Sequence, residues 1–170
     1  YSVNLTTKAG PVNLDFTHSS LEEVGTNTDN NTLTKLVASA TVADINLVAG
    51  YGMTNDNDTN GRSLGVDLTT DNDAKTNFRL DQIVLDTYAD ADAILLGASM
   101  AFGKTTVGAS YLMASIDNNV GVDTDAAELD LTVKYAMSKN FSITGLYSDA
   151  EIETGATKSY DETRMELSLN

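Results

Sequence analysis

Residues 56–67, DNDTNGRSLGVD, have the spacing of oxygen ligands found in calcium-binding loops. In such loops, side-chain oxygens at positions 1, 3 and 5, a backbone carbonyl at 7 and a carboxylate at 12 wrap the cation. The residues at these positions are Asp56, Asp58, Asn60, Arg62 and Asp67, and Gly61 permits the sharp turn. Asp67 is shorter than the usual glutamate, and no helical pattern flanks the loop. The sequence therefore favours either a calcium site or a solvated loop rich in Asp and Asn.

Other residues with catalytic side chains lack the partners that catalysis needs. Residues 103–105, GKT, resemble the end of a phosphate-binding loop, but Ala98 stands where that loop requires a glycine. His18 is the only histidine, and no nucleophile or acidic partner converges on it in the sequence. Glu151 and Glu153 share a strand face near a loop, where solvated carboxylates are commoner than an acid/base pair. The sequence therefore predicts no enzyme.

Composition excludes several further classes of protein. The 170 residues hold 10 Lys and Arg against 25 Asp and Glu, and the net charge of -15 argues against nucleic acid as a partner. There are no cysteines, so disulfides and Cys-ligated metals are excluded. No apolar run reaches the roughly 18 residues of a membrane-spanning helix.

The dominant pattern has a period of two residues, which is typical of β-strands. Its clearest stretch is 127–137, where Leu129, Leu131 and Val133 fall on one face while Glu128 and Asp130 fall on the other. The same alternation predicts nine strands, at about 1–8, 11–22, 32–43, 45–55, 94–102, 105–116, 127–137, 141–153 and 161–170.

The connections between these strands alternate between tight turns and longer segments. The longer ones, 23–31, 56–93, 117–126 and 154–160, are rich in Asp, Asn, Thr and Gly. Short turns on one rim and long loops on the other are typical of outer-membrane barrels, whereas the alternative, a soluble sandwich, seldom sorts its hairpins this way. The fold class predicted is therefore all-β, an antiparallel transmembrane β-barrel in the bacterial outer membrane.

The odd number of strands places the two ends of the chain on opposite rims. Bacterial single-chain barrels have an even number of strands and both termini on the periplasmic side. We therefore expect 1–170 to be a single β-barrel region that contributes about nine strands to a larger barrel, as its C-terminal part. A tenth strand within 56–93 would weaken this inference.

The run from Glu128 to Ser142, ELDLTVKYAMSKNFS, resembles the penultimate hairpin of Gram-negative porins. Continued through Tyr147 and Ser148, the pattern is most similar to the major outer membrane porins of Campylobacter and its relatives. The resemblance implies a large porin-like barrel, a homotrimer, that passes small hydrophilic solutes. The family usually ends in a motif finishing in Phe, whereas this chain stops at Leu169 and Asn170.

The charged residues on the polar strand faces are predicted to line a pore. They are Asp15, Lys35, Glu128, Asp130, Lys134, Arg164 and Glu166, together with Lys8. Positive and negative charges balance on this wall, so the net charge of the chain falls almost entirely on the long loops. An acidic rim above a neutral wall predicts a water-filled channel that favours cations. The acidic loops are also expected to bind divalent cations that bridge lipopolysaccharide.

The segment 56–93 is too long for an ordinary hairpin loop, so we expect a functional loop, either extracellular or forming a constriction. Its apolar residues suggest that part of it folds inward, which would place four aspartates at the entrance: Asp81, Asp86, Asp90 and Asp92. The function predicted is a porin for passive diffusion of ions and small hydrophilic solutes, with no required cofactor beyond possible Ca2+. The alternative is a small closed barrel that acts as a structural anchor or adhesin.

Overall fold

The computed structural model describes residues 1–21, 31–55, 80–83, 85, 90–117, 123–155 and 157–169. In this part of the chain nine strands form one sheet in sequence order, and each strand pairs antiparallel with the next. The strands are β1 (Ser2–Ala9), β2 (Val12–Leu21), β3 (Asn31–Val42), β4 (Ile45–Thr54), β5 (Ala91–Phe102), β6 (Thr105–Ile116), β7 (Thr124–Ser138), β8 (Phe141–Thr154) and β9 (Thr157–Leu169). The all-β antiparallel architecture and the nine strands are as predicted.

Tight turns join the strands at one end of the sheet. Ala43 and Asp44 connect β3 to β4 with positive φ angles of 49° and 67°, which is the geometry of a two-residue hairpin turn whose backbone twist matches the strands. Gly103, with φ of 60°, begins the turn between β5 and β6, where an L-residue would be strained. These turns fix the register of each hairpin, and the register decides which side chains share a face.

The prediction of a loop at 154–160 is wrong. Thr154 pairs with Thr157, and Glu153 pairs with Lys158, so β8 and β9 continue to a short turn at Gly155. This stretch is mainly polar and lacks the alternation that predicts strands, because the side chains of a hairpin that extends beyond a sheet can be solvated on both faces. Two other strands also begin three residues earlier than expected, β5 at Ala91 and β7 at Thr124.

The two faces of the sheet differ in chemistry. One face, here the apolar face, exposes large hydrophobic side chains along most strands, including Leu47, Tyr51, Ile94, Leu131 and Leu167. Leu131 is 43% exposed and Leu167 is 73% exposed, while Asp130, which precedes Leu131, is buried on the opposite face. An apolar surface of this extent needs an apolar environment to cover it.

The opposite face is covered in part by the connection between β4 and β5. We call the described residues of this connection, 80–83 and 85, the strap, and the face that it contacts the strap face. Ile83 and Leu85 of the strap are fully buried, in one hydrophobic cluster with Leu33 of β3 and Leu112 of β6. Burying each such side chain contributes roughly 1.5–3 kcal/mol.

Within the described residues, no helix is long and apolar enough to cross a membrane.

Candidate functional site

Glu128 of β7 fixes the strap to the sheet. Its side chain is fully buried, although a carboxylate without partners would be costly to bury. One carboxylate oxygen accepts the backbone N–H of Gln82 at 2.8 Å and the hydroxyl of Ser148 at 2.8 Å. The other accepts the backbone N–H of Ile83 at 2.6 Å. Glu128 therefore satisfies two consecutive backbone donors of a segment that has no strand partner of its own.

Gln82 adds a second set of contacts to the same attachment. Its side-chain amide donates to the Ser148 hydroxyl at 2.8 Å, and its amide oxygen lies 2.8 Å from the Tyr160 hydroxyl. The Tyr160 hydroxyl also contacts the carboxylate of Glu162. The strap is thus bonded to side chains from β7, β8 and β9, which the antiparallel register places side by side on the strap face.

Asp130 follows Glu128 on the strap face and is 8% exposed. One of its carboxylate oxygens accepts the backbone N–H of Asp81 at 3.2 Å. The other oxygen, Oδ1, is buried and has no hydrogen-bond partner among the described residues. Of the two Asp130 carboxylate oxygens, one therefore contributes to the attachment of the strap.

Arg164 of β9 supplies a positive charge beside these carboxylates. Its guanidinium donates to Asp81 at 3.0 Å and to Glu162 at 3.2 Å. The Asp81 and Arg164 side chains remain 21% and 43% exposed, so solvent screens this pair and its contribution to stability is small. The structure thus brings together four of the residues that the sequence singled out: Asp81, Glu128, Asp130 and Arg164.

The other predicted pore-lining residues also lie on the strap face. Asp15 is half-buried, 3.0 Å from the amide of Asn4 and 3.2 Å from the hydroxyl of Thr17. Lys35 is 5% exposed, and Lys134 and Glu166 are exposed. That these residues line a pore stays a prediction.

The four aspartates of the expected constriction do not gather in one place. Asp81 lies in the strap, and Asp86 lies outside the described residues. Asp90 precedes β5 with a φ of 49°, and its backbone N–H donates to the Asn55 carbonyl at 3.0 Å. Asp92 lies on the apolar face, where it accepts a hydrogen bond from the Tyr51 hydroxyl. This position follows from the early start of β5, which makes Asp92 part of the strand. Residues two apart on a strand share a face, so Asp92 lies on the same face as Ile94.

The predicted calcium loop, residues 56–67, lies outside the described residues and stays a prediction. In the part of the chain that the structure describes, no group of three or more His, Asp or Glu side chains could hold a metal ion. His18 is half-buried on β2, with Nδ1 2.8 Å from the Thr34 hydroxyl. Glu151 forms an ion pair with Lys158 at 2.6 Å on the apolar face.

Sequence reasoning missed Gln82, Ser148, Tyr160 and Glu162 as members of this cluster. Ser148 and Glu162 were detectable in principle, since they lie in predicted strands whose alternation places them on the strap face with Asp130 and Arg164. Their partnership with the strap depends on the register between β7, β8 and β9, which has no local signal in the sequence.

Comparison with known proteins identifies the fold. Residues 1–155 match the profile of a family described as Gram-negative porin. No curated protein sequence matches this chain. The porin resemblance of the sequence is confirmed, and the Campylobacter-type subfamily stays a prediction.

Solved outer-membrane proteins share the architecture at low sequence identity. OmpT of Vibrio cholerae matches at 17% identity and a TM-score of 0.66, over 99% of this chain and 47% of its own. OccK10 of Pseudomonas aeruginosa matches at 14% identity and a TM-score of 0.68, over 98% of this chain and 50% of its own. OccAB4 of Acinetobacter baumannii matches at 12% identity and a TM-score of 0.64, over 98% of this chain and 44% of its own. The chain spans about half the length of these structures.

Proposed function

We propose that this chain, which belongs to the Gram-negative porin family, forms part of the wall of a water-filled channel. The channel passes ions and small hydrophilic solutes. The chain belongs to an outer-membrane β-barrel protein. Its apolar face meets lipid and its strap face meets water. The strap narrows the passage, and the role is that of a passive pore with no enzymatic step.

The attachment of the strap through Glu128 carries this proposal. An extended segment with free backbone donors is stable against a barrel wall only where the wall supplies acceptors. Glu128 and Asp130 supply them for Asp81, Gln82 and Ile83. The attachment therefore rests on polar contacts, which suits a strap face that meets water.

Conductance of the intact protein that carries this chain, reconstituted in planar bilayers, tests the proposal. We expect ion currents with ohmic steps in potassium chloride. A small closed barrel that serves as an anchor or adhesin, the alternative function, would have its interior filled by side chains and would pass little current. Absence of conductance from protein that inserts into the bilayer would favour that alternative.

We also propose that the channel prefers cations. The chain carries a net charge of -15. Around the strap, the described residues include the carboxylates of Asp81, Glu128, Asp130 and Glu162 and the guanidinium of Arg164, which pairs with Asp81 and Glu162. A mouth or wall with this charge raises the local concentration of cations.

Reversal potentials under a fixed salt gradient ratio, repeated at low and high absolute salt, should reveal this preference. If the acidic loops at the mouth produce it, the preference should fall as salt rises, because the Debye length shrinks from about 30 Å at 0.01 M to about 3 Å at 1 M. A cation preference that does not change with salt would instead assign it to charges at the strap, with Asp81 as the first residue to substitute. Anion preference at low salt would contradict the acidic-mouth explanation.

Two further elements of the proposal rest on sequence alone. The resemblance implies a homotrimer, which the mass of the complex in mild detergent would test. The spacing of residues 56–67 implies a calcium site, so equilibrium dialysis should detect bound Ca2+ that the Asp56→Ala variant, which removes the first ligand, loses. The acidic loops would also bind divalent cations that bridge lipopolysaccharide.

A further inference from the structure

Among the residues that the structure describes, the carboxylates around the strap outnumber the cations that pair with them. Glu128 has three hydrogen-bond donors for its two oxygens, and the Glu162 carboxylate is bonded to Arg164 and Tyr160. Asp81 shares the same guanidinium. Within the described residues, this cluster of four carboxylates and one guanidinium therefore has an excess of negative charge.

Asp130 Oδ1 is a buried acceptor that lacks a hydrogen-bond donor among the described residues. Asp130 is more than nine-tenths buried, and this oxygen has no hydrogen-bond partner among the described residues. Ionised carboxylate oxygens are acceptors with no donor of their own, so a buried one without a partner is costly. The side chains beside Asp130 in register are Ser110 and Ser148, which are neutral.

We propose that Asp130 Oδ1 and the Asp81 carboxylate form a binding site for the ammonium group of a cationic solute that passes the strap. This inference rests on the proposed channel function. A primary ammonium carries three N–H donors on a compact charge, which suits two carboxylates and a hydroxyl. A divalent metal ion would need more oxygen ligands than two carboxylates provide, and the described residues contain no such group.

The position of Asp81 gives a route to this oxygen. Asp130 Oδ1 is buried, and the backbone N–H of Asp81 is bonded to the other oxygen of the same carboxylate, so a shift of the residues near Asp81 would open a path to it. Asp81 is held there by a partly exposed ion pair with Arg164 and by a hydrogen bond of 3.2 Å from its backbone N–H to Asp130. Both are weak restraints compared with the buried bonds to Glu128. An entering ammonium group would replace the Arg164 guanidinium at Asp81 while the rest of the strap stays bound.

Block of potassium current by methylammonium tests this site in the intact reconstituted protein. Methylammonium should reduce the current with a saturable dependence on concentration. Tetramethylammonium, which has the same charge and no N–H donor, should block at least tenfold more weakly. The Asp130→Asn variant should weaken methylammonium block about tenfold or more, the effect expected for losing a hydrogen bond to a charged group. Asp149→Asn is the control, because Asp149 follows Ser148 on β8 and projects from the apolar face. Removing its charge should leave the block unchanged within about twofold.

Each outcome separates this inference from the channel proposal. Equal block of wild type and Asp130→Asn, or equal block by the two ammonium ions, would overturn the site while leaving the channel intact. Absence of any potassium current in the wild type would overturn the channel instead. If Asp130→Asn fails to insert, Asp81→Asn serves in its place, because Asp81 lies at the partly exposed surface of the strap. Unchanged block in Asp81→Asn would then overturn the site.

Discussion

Replacing Glu128 with leucine is expected to release the strap and to raise the single-channel conductance. The substitution removes the acceptor of two backbone N–H groups, those of Gln82 and Ile83, and leaves both buried without a partner. Each unsatisfied donor costs about 1–3 kcal/mol, so the attachment loses roughly 2–6 kcal/mol. Burial of Ile83 and Leu85 contributes about 3–6 kcal/mol by the per-residue figure for large apolar side chains. The free energy lost with Glu128 is therefore large enough to offset most of the free energy that holds the strap against the sheet.

Planar-bilayer recordings measure this effect directly, as a larger mean step and more current noise. Glu128→Gln keeps the size of the side chain and one acceptor oxygen but places N–H donors against a backbone donor, so it should show an intermediate effect. Glu153→Gln is the matched control, because Glu153 is exposed near the same end of the sheet. A Glu128→Leu channel with wild-type conductance would contradict the constriction that we propose for the strap.

The sequence predicts the sheet well because strand alternation and turn chemistry are local properties. Residues such as Leu131 and Asp130 alternate strictly, and Gly103 marks a turn whose positive φ favours glycine. The tip of the β8–β9 hairpin was missed for the same reason. Its residues near Gly155 are polar on both faces, and alternation therefore carries no signal there.

The strap site was predictable only in part. The apolar side chains Ile83 and Leu85 indicate that this connection folds onto the sheet, and the charge of Asp81 indicates a polar surrounding. Its partners are separated from it by more than 40 residues, as the bond between Gln82 and Glu128 shows. Which backbone donor meets which carboxylate depends on the shape of the whole connection, and no periodic pattern encodes that shape.

Replacing Leu131 with arginine is expected to destabilise the protein in lipid by about 2–4 kcal/mol. Leu131 lies at the middle of the 15-residue strand β7 and projects from the apolar face. In a bilayer this position lies near the midplane, where a guanidinium loses its hydration without gaining a partner. The free energy of unfolding by urea in phospholipid vesicles measures the loss.

Thr132→Arg provides the matched comparison, because it places the same guanidinium one residue along β7 on the half-buried strap face. If water fills that side, the new arginine stays hydrated and lies beside Asp130, so its main effect should be on conductance and cation preference. The free energy of unfolding in lipid should then fall by much less than in Leu131→Arg. Equal destabilisation by the two variants would mean that the strap face is packed dry, and a larger loss in Thr132→Arg would reverse the assignment of lipid and water to the two faces.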